Sequence, residues 1–308
     1  MASLWKLGGL GWRELAKRVW REIQGDNVFG RAAELSYYFL LALFPFLIFL
    51  TSIIGFLLDS DNTRRTLFGY LATIMPPSAF QLIDNTMIEV SSSSGGGKLS
   101  FGILAALWAA SSGMTAITDS LNTAYNLTES RPWWKQRLTS IGLTMALSIL
   151  IIGALVLVVA GGHIAEWLAA AYGFGPVFPM TWKIIQWPVV LACMISAFAL
   201  IYYFAPDFRE QAWQWLTPGA AIGVALWLLV SIGFRFYLHF FNSYSATYGS
   251  IGAVIILMLW LYFTGAAVLI GGEINSEIEN AAAEQGEPDA KEKGEKAPNE
   301  KDGAVQPA

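Results

Sequence analysis

The stretch LSYYFLLALFPFLIFLTSIIGFLL, residues 35–58, runs for 24 residues without a charged side chain. A bilayer core about 30 Å thick is crossed by about 20 apolar residues in a helix, so this stretch is long enough to span it. Pro45 lies in its middle. A membrane helix tolerates such a proline because neighbouring helices and hydroxyl side chains can satisfy the freed carbonyl. The stretch therefore predicts a membrane protein.

The composition of the chain supports this prediction. Hydrophobic residues make up 55% of the 308 residues and charged residues only 14%, against about 25% charged in soluble domains. Cys193 is the single cysteine, which excludes a disulfide within the chain and a cysteine-based metal site. The basic residues lie in loops and not along a helix that could follow phosphates, so we expect no nucleic-acid partner.

Five further apolar stretches are each long enough to span a bilayer. With the first stretch, the predicted spans are residues 35–58, 101–124, 139–160, 184–205, 218–238 and 250–272. We therefore predict an all-α fold, a polytopic membrane protein built as a bundle of six transmembrane helices. These helices form a domain over residues 34–278.

The distribution of lysine and arginine predicts the orientation of this bundle. Segments 1–33, 125–138 and 206–217 together carry ten basic residues, whereas the segments expected on the other side carry four. Basic residues concentrate on the cytoplasmic side of membrane proteins. We therefore place both termini in the cytoplasm, and we expect the protein in the inner (plasma) membrane of a bacterium.

The two ends of the chain differ in character. Within residues 1–33, a basic amphipathic helix is predicted, and its apolar face is formed by Trp12, Leu15, Ala16, Val19, Trp20 and Ile23. Such a helix suits the surface of an anionic membrane, although packing beneath the bundle is an alternative. Residues 279–308 are rich in Glu, Lys, Ala, Pro and Gly without apolar periodicity, which predicts a disordered acidic cytoplasmic tail.

A stripe of polar residues follows the second predicted span. It comprises Ser111, Ser112, Thr115 and Thr118, and Asp119 and Asn122 continue it. A helix face of this kind avoids lipid, so it faces the bundle or a water-filled cavity. One interpretation is the wall of a polar path or binding groove. The other is close packing, because small hydroxyl residues let helices approach and hydrogen-bond.

A cluster of polar residues is predicted at the cytoplasmic mouth of the bundle. The first helix begins at that side and the second and sixth end there. We therefore expect similar depths for Arg31, Glu34, Asp119, Asn122, Arg131, Glu273 and Asn275. Arg31 or Arg131 would pair the carboxylates. The alternative is an ion-pair lock that only fixes helix ends, and such a pair is costly to break.

A third candidate site lies at the outer end of the fifth predicted span. Arg235 and His239 are one helical turn apart, and Tyr244 and Tyr248 follow closely. These side chains are suited to an anionic headgroup or substrate. The alternative is that Arg235 extends to the membrane surface while the tyrosines belong to an interfacial belt.

Several motifs resemble the YihY/BrkB family of bacterial inner-membrane proteins. They are RAAELSYYFLLALFP (residues 31–45), LNTAYN (121–126), RPWWK (131–135), YGSIGA (248–253) and GGEIN (271–275). The resemblance covers about residues 10–278 and implies six transmembrane helices with cytoplasmic termini. One departure is Ala205 before Pro206, where the family often carries arginine. Family members have been labelled ribonuclease BN and proposed as envelope or lipid transport factors.

The sequence does not favour catalysis. It contains two histidines, and it lacks the H-E-x-x-H and G-x-S-x-G motifs. We expect no enzyme activity, no catalytic residue and no cofactor or metal. The preferred function is a non-enzymatic envelope factor that transports or exposes an anionic lipid or another substrate. The alternative is a structural or assembly protein, and a membrane enzyme ranks third. Membrane lipids are the expected partners, with a homo-oligomer or an envelope protein as further possibilities.

Overall fold

The computed structural model describes residues 4–57, 96–173, 175, 177–210, 216–240 and 244–297. Within these ranges the chain is helical, without β-strands. A short 3-10 helix, Leu4–Gly9, comes first. Within the same ranges, seven α-helices follow: α1 (Trp12–Gly25), α2 (Val28–Leu57), α3 (Gly96–Ala124), α4 (Trp133–Tyr172), α5 (Val177–Phe204), α6 (Pro218–Phe240) and α7 (Tyr244–Glu284). The all-α prediction is confirmed for this part of the chain.

Among the described residues, four helices contain segments long and apolar enough to cross a membrane. They are Trp133–Val158 in α4, Val177–Phe204 in α5, Pro218–Tyr237 in α6 and Val254–Glu284 in α7. These segments overlap the last four predicted spans. The first two predicted spans fall on α2, which contains Pro45, and on α3. Membrane crossing by α2 and α3, and hence the count of six, stays a prediction, as does the orientation.

The chain forms two compact units. The first comprises Met1–Leu41, Ser111–Leu143 and Phe198–Ala308, and the second comprises Ala42–Ala110 and Thr144–Ala197. The candidate site lies entirely in the first unit. In the second unit, Gly161 of α4 lies close to the side chains of Trp182 and Gln186 of α5.

The centre of the first unit is the contact between α6 and α7. Gly219 and Gly271 let the two backbones meet, because a Cβ atom on Gly271 would lie 2.6 Å from the Gly219 carbonyl oxygen. The buried hydroxyl of Tyr202, from α5, donates a hydrogen bond of 2.7 Å to the Val268 carbonyl. The rings of Trp227 and Trp260 meet edge to face at 6.2 Å. Small residues and edge-to-face rings of this kind hold membrane helices together by close packing.

Helix α1 packs on α7 through one apolar face. Leu15, Val19 and Ile23 are buried, whereas Trp12 and Trp20 remain 62% and 57% exposed. On an adjoining face, the Arg18 guanidinium donates to both carboxylate oxygens of Glu284 at 3.1 and 2.9 Å. The predicted amphipathic helix is therefore present, and the structure divides its apolar residues between a buried and an exposed group.

Helix α7 and the chain after it carry the largest difference from the sequence analysis. The last predicted span ends at residue 272, but α7 continues to Glu284. Ile274, Ile278, Ala281 and Ala282 are buried along this extension. Residues 285–297, assigned above to a disordered tail, form turns in which Lys291, Lys293 and Lys296 each pair with a carboxylate. Residues 298–308 of that tail lie outside the described part of the chain.

Candidate functional site

A turn after α3 places the first member of the site. Asn126 adopts a left-handed conformation with φ of 55°, which asparagine tolerates better than most residues. The Leu127 amide then bonds back to the Asn122 carbonyl at 2.7 Å. The buried Asn122 side chain donates to Glu129 at 2.9 Å and accepts from the Asp207 amide at 2.8 Å. Asn122 therefore joins the segment after α3 to the segment after α5.

Arg131 continues this connection. Its guanidinium donates to the two Glu129 carboxylate oxygens at 2.8 and 2.7 Å, a bidentate pair. It also donates to the Ala205 carbonyl at 2.8 Å and lies 3.5 Å from the Asp207 carboxylate. The Glu129 carboxylate in turn raises the pKa of Arg131. The guanidinium is thus held in one orientation by two chain segments.

Asp207 is the most heavily bonded carboxylate of the site. It is only 5% exposed, and Ser130 donates to it from its amide and its hydroxyl at 2.8 and 2.7 Å. The Lys296 ammonium group pairs with the same oxygen. Burial alone raises the pKa of Asp207, but the hydrogen bonds from Lys296 and Ser130 outweigh it and hold this pKa below its usual value. We call Asn122, Glu129, Ser130, Arg131, Asp207 and Lys296 the junction cluster.

A second group of charges lies where α1 meets α7. It comprises Glu22, Asp26, Glu273, Glu277 and Lys293, and we call it the α1–α7 cluster. Lys293 pairs with Glu22 at 2.8 Å and with Glu277 at 2.9 Å. Both carboxylates raise the pKa of Lys293 against the opposing effect of burial. Burial raises the pKa of Asp26, and the neighbouring Glu22 raises it further.

Glu273 is the most enclosed charge of the α1–α7 cluster. Its side chain is fully buried, and within the described ranges neither carboxylate oxygen has a hydrogen-bond partner of ordinary geometry. The charges of Asp26, Lys293 and Glu22 act on it. An ionisable side chain of this kind within an apolar helix is expensive to retain.

The seven residues of the predicted cytoplasmic cluster fall into several local groups. Asn122 and Arg131 meet through Glu129 in the junction cluster, and Glu273 faces Asp26 in the other. Arg31 donates to the Asp26 carbonyl at 3.2 Å. Asn275 accepts from the Gly219 amide at 2.9 Å and donates to Thr217 at 3.0 Å. Asp119 accepts from Gln136 at 2.7 Å. Glu34 is exposed.

The polar stripe of α3 faces α4. Ser111 and Thr118 are buried, and the Thr115 hydroxyl donates to the Ser140 hydroxyl at 3.0 Å. The Arg137 guanidinium lies 3.3 Å from the Ser112 hydroxyl and 3.4 Å from the Thr115 hydroxyl. The stripe therefore combines close helix packing with a positive charge. Its assignment to a groove or to packing alone stays a prediction.

The proposed outer site is described only in part. Arg235 is exposed near the end of α6. The side chains of His239, Tyr244 and Tyr248 lie outside the described part of the chain. The hypothesis of an anion site at this end stays a prediction.

The site residues predicted from the sequence do not include Glu129, Asp207, Lys296 or Arg137. Asp207 directly follows the segment ending at Pro206, where the departure from the family motif was noted, and this position was the one available signal. Lys296 offered no such signal, since it lies 89 residues beyond Asp207 in a tail read from composition. Arg137 was counted for orientation only.

The described residues offer little to a metal. Among them, no group of three or more His, Cys, Asp and Glu side chains is arranged to hold an ion. Cys193 is half-buried in α5 and has a free thiol. In the junction cluster, the Ser130 hydroxyl donates to the Asp207 carboxylate and accepts from the Lys296 ammonium group. The chemistry of both clusters is ion pairing and hydrogen bonding.

Comparison with known proteins identifies the family. The profile of the family described as virulence factor BrkB matches residues 19–296. The chain belongs to this family. The resemblance inferred from the sequence motifs is thereby confirmed, and all six residues of the junction cluster fall within the match.

Individual BrkB relatives carry two kinds of name. A protein of Bacillus subtilis (strain 168), "Putative ribonuclease-like protein YfkH", is 41% identical over 247 residues, covering 80% of this chain and 88% of that protein. The "UPF0761 membrane protein XCC0860" of Xanthomonas campestris pv. campestris is 24% identical over 269 residues, covering 84% of this chain. The match spans only 59% of that Xanthomonas relative. No solved structure matches this chain. This chain is thus a membrane protein. Its family also includes relatives whose names describe them as membrane proteins.

Proposed function

We propose that this BrkB protein is a non-enzymatic factor of the bacterial inner membrane that moves or exposes a membrane-borne substrate, with an anionic lipid as the first candidate. The observation that carries this proposal is the contact of Arg137 with the polar stripe. A guanidinium beside two hydroxyl groups supplies directional donors of the kind that bind phosphate oxygens. Arg137 lies four residues from the start of a candidate membrane span, Trp133–Val158.

Further polar groups lie near Arg137. Ser112 and Thr115 contact the guanidinium. Gln136, which directly precedes Arg137 in α4, donates an exposed hydrogen bond of 2.7 Å to Asp119 in α3. A headgroup that follows this surface would meet donors at Arg137, Ser112 and Thr115, and an acceptor at Asp119. This succession supports a polar path beside α3 and α4.

The competing function is that of a structural or assembly protein. The hydrogen bond between Thr115 and Ser140 and the junction cluster favour it, because both fix helix ends and helix contacts without needing a substrate. Under this alternative, the Arg137 side chain only helps to hold α3 against α4. The two functions differ in whether the purified protein moves lipid.

The test is lipid scrambling in proteoliposomes of phosphatidylcholine and phosphatidylglycerol. Fluorescent phosphatidylglycerol on the inner leaflet is protected from an external quencher unless the protein moves it outward. We expect wild-type protein to abolish this protection. Arg137→Gln should slow the exchange at least tenfold, and Arg137→Lys should be intermediate because lysine keeps the charge but lacks the planar fork.

The matched control is Lys135→Gln, which removes an exposed positive charge from the same helix and should scramble like wild type. Fluorescent phosphatidylcholine tests whether the substrate must be anionic. Intact, reconstituted wild-type protein without exchange above empty vesicles would establish the structural alternative. If Arg137→Gln exchanged lipid at the wild-type rate, Arg137 would have no role in transport.

A further inference from the structure

Helix α1 carries its side chains in four distinct stripes. Residues four apart lie on the same face of a helix. Leu15, Val19 and Ile23 form the buried stripe against α7. The other three stripes differ in whether the first unit already engages them.

One of these stripes is engaged by ion pairs. Arg18 pairs with Glu284 at 2.9 Å, and Glu22 pairs with Lys293 at 2.8 Å. Both partners belong to α7 or to the chain that follows it. These ion pairs therefore fix this stripe of α1 to α7 and to the chain that follows it. The orientation of the opposite side of α1 is fixed as a result.

The two stripes on the opposite side are exposed. Trp12, Ala16 and Trp20 form the first, and Arg13, Lys17 and Arg21 form the second, one residue further along. Trp5, before α1, is 50% exposed and is tethered by a hydrogen bond of 2.8 Å from its indole nitrogen to the Leu216 carbonyl. Indole rings bordered by basic side chains are typical of the region where lipid acyl chains meet headgroups.

We infer that the exposed face formed by Trp12, Trp20, Arg13, Lys17 and Arg21 is a binding surface for anionic lipid headgroups, while α1 stays docked on α7. The charge of this face selects the partner, because its three basic residues are complementary to phosphatidylglycerol or another anionic lipid. The tryptophans supply apolar contact below the headgroups. The surface is distinct from the Arg137 region and does not depend on the proposed transport function.

This inference changes the role of the amphipathic helix. From the sequence, we predict that Leu15, Val19 and Ile23 share one apolar face with the tryptophans, which meets the membrane or packs beneath the bundle. In the structure, the aliphatic residues contact the protein and the tryptophans are left for the lipid. A helix fixed on one edge would hold the first unit in a set orientation at the membrane surface.

The experiment uses spin labels on the full-length protein in vesicles. The single cysteine is replaced (Cys193→Ser), and a label is introduced by Trp20→Cys or, on the engaged side, by Glu14→Cys. Oxygen concentrates in lipid and a nickel chelate in water, so the ratio of their effects reports lipid contact. In vesicles of phosphatidylcholine with phosphatidylglycerol, we expect an oxygen-dominated signal at position 20 and a water-dominated signal at position 14.

The dependence on anionic lipid is tested by charge removal. The triple substitution Arg13→Gln, Lys17→Gln and Arg21→Gln should lower the lipid signal at position 20 to its value in pure phosphatidylcholine. Salt near 1 M should do the same, since it shortens the screening length to about 3 Å. Lys135→Gln, which removes an exposed positive charge outside α1, is the control and should leave the signal at position 20 unchanged.

Two results would overturn the inference. One is a water-dominated signal at position 20 in the anionic vesicles. The other is an equal lipid signal with and without phosphatidylglycerol, which would mean apolar contact without headgroup recognition. A pair of labels on α1 and α7 checks that the triple variant remains docked, so that loss of lipid contact is not loss of structure.

Discussion

At the scale of single residues, Asp207 determines how the junction cluster is held. Its carboxylate accepts from Ser130 twice, pairs with Lys296 and lies near Arg131. A buried carboxylate left without these donors would be strongly unfavourable, and the donors would be equally unfavourable without it. Asp207 therefore stabilises the junction cluster because it connects the segment after α5 with the segment after α3 and with the C-terminal segment.

We predict that acid weakens the junction through Asp207. Its pKa is lower in the folded protein than in the unfolded chain, where an aspartate titrates near about 3.9. Its contribution to the free energy of unfolding is therefore full above that value and is lost as the pH falls through the folded-state pKa. Asp207→Asn should lower the melting temperature in detergent at pH 7, and the difference from wild type should shrink below about pH 4.

The control for this prediction is Glu287→Gln, which removes an exposed carboxylate. It should leave the melting temperature unchanged at both pH values. A difference between wild type and Asp207→Asn that stays constant from pH 7 into the acid range would contradict the assigned role of the Asp207 charge.

At the scale of elements, the contact between α6 and α7 depends on two glycines. Gly219 and Gly271 lie so close that a methyl group on either one would meet the backbone of the other helix. Tyr202 lies beside the same contact and bonds to Val268. The first unit thus has a point where two helices and the end of α5 meet with no spare volume.

We predict that Gly271→Ala destabilises the protein by about 1–3 kcal/mol, the usual cost of overpacking a close contact. Gly233→Ala in α6 is the matched control, because a Cβ atom there would meet nothing within 4 Å. The measurement is unfolding of both variants in mixed micelles of a mild detergent and dodecyl sulfate. Equal stability of the two variants would show that α6 and α7 can separate at little cost.

At the scale of the whole molecule, the C-terminal segment connects elements that are distant in sequence. Lys291 pairs with Glu279 at 2.7 Å and lies 4.9 Å from the centre of the Phe208 ring. Lys293 reaches α1, and Lys296 reaches Ser130 and Asp207. The Gly294 amide also bonds to the Tyr125 carbonyl at 3.0 Å. Residues 290–297 therefore tie α1, the segment after α3 and the segment after α5 to α7.

We predict that deleting residues 288–308 lowers the melting temperature by about 5 °C or more, since a broken buried pair costs about 3–5 kcal/mol. Deleting only residues 298–308 is the control, because it keeps every contact of residues 290–297. Thermal unfolding of the detergent-solubilised proteins gives the comparison. Equal melting temperatures for both deletions would show that the contacts of residues 290–297 do not stabilise the protein.

The sequence predicted the helices better than their ends. Apolar runs of sufficient length identified α4 to α6 because burial in lipid requires them. The run in α7 ends at residue 272, but the helix continues because Ile278, Ala281 and Ala282 pack against the N-terminal elements. That packing is a tertiary contact, and local hydropathy does not report it.

The candidate site was less accessible to sequence reasoning. Asn122 and Arg131 were selected because they are polar residues near helix ends. Lys296 was assigned to a disordered tail because its neighbours are charged and small, and composition says nothing about a specific ion pair with Asp207. Pairings between residues so far apart in the chain follow from the fold, which a single sequence does not display.

The position of Lys296 near the C-terminal end also determines when the junction cluster can form during synthesis of the chain. Asp207 leaves the ribosome 89 residues before its partner, which at about 5–20 residues per second is a delay of roughly 4–18 s. During that interval Ser130 and Arg131 are present but the lysine is missing. A chain that terminates before Lys296 therefore contains the apolar helices but cannot form the ion pair with Asp207. Such a truncated chain would leave this end of the protein accessible to proteases that degrade incomplete membrane proteins.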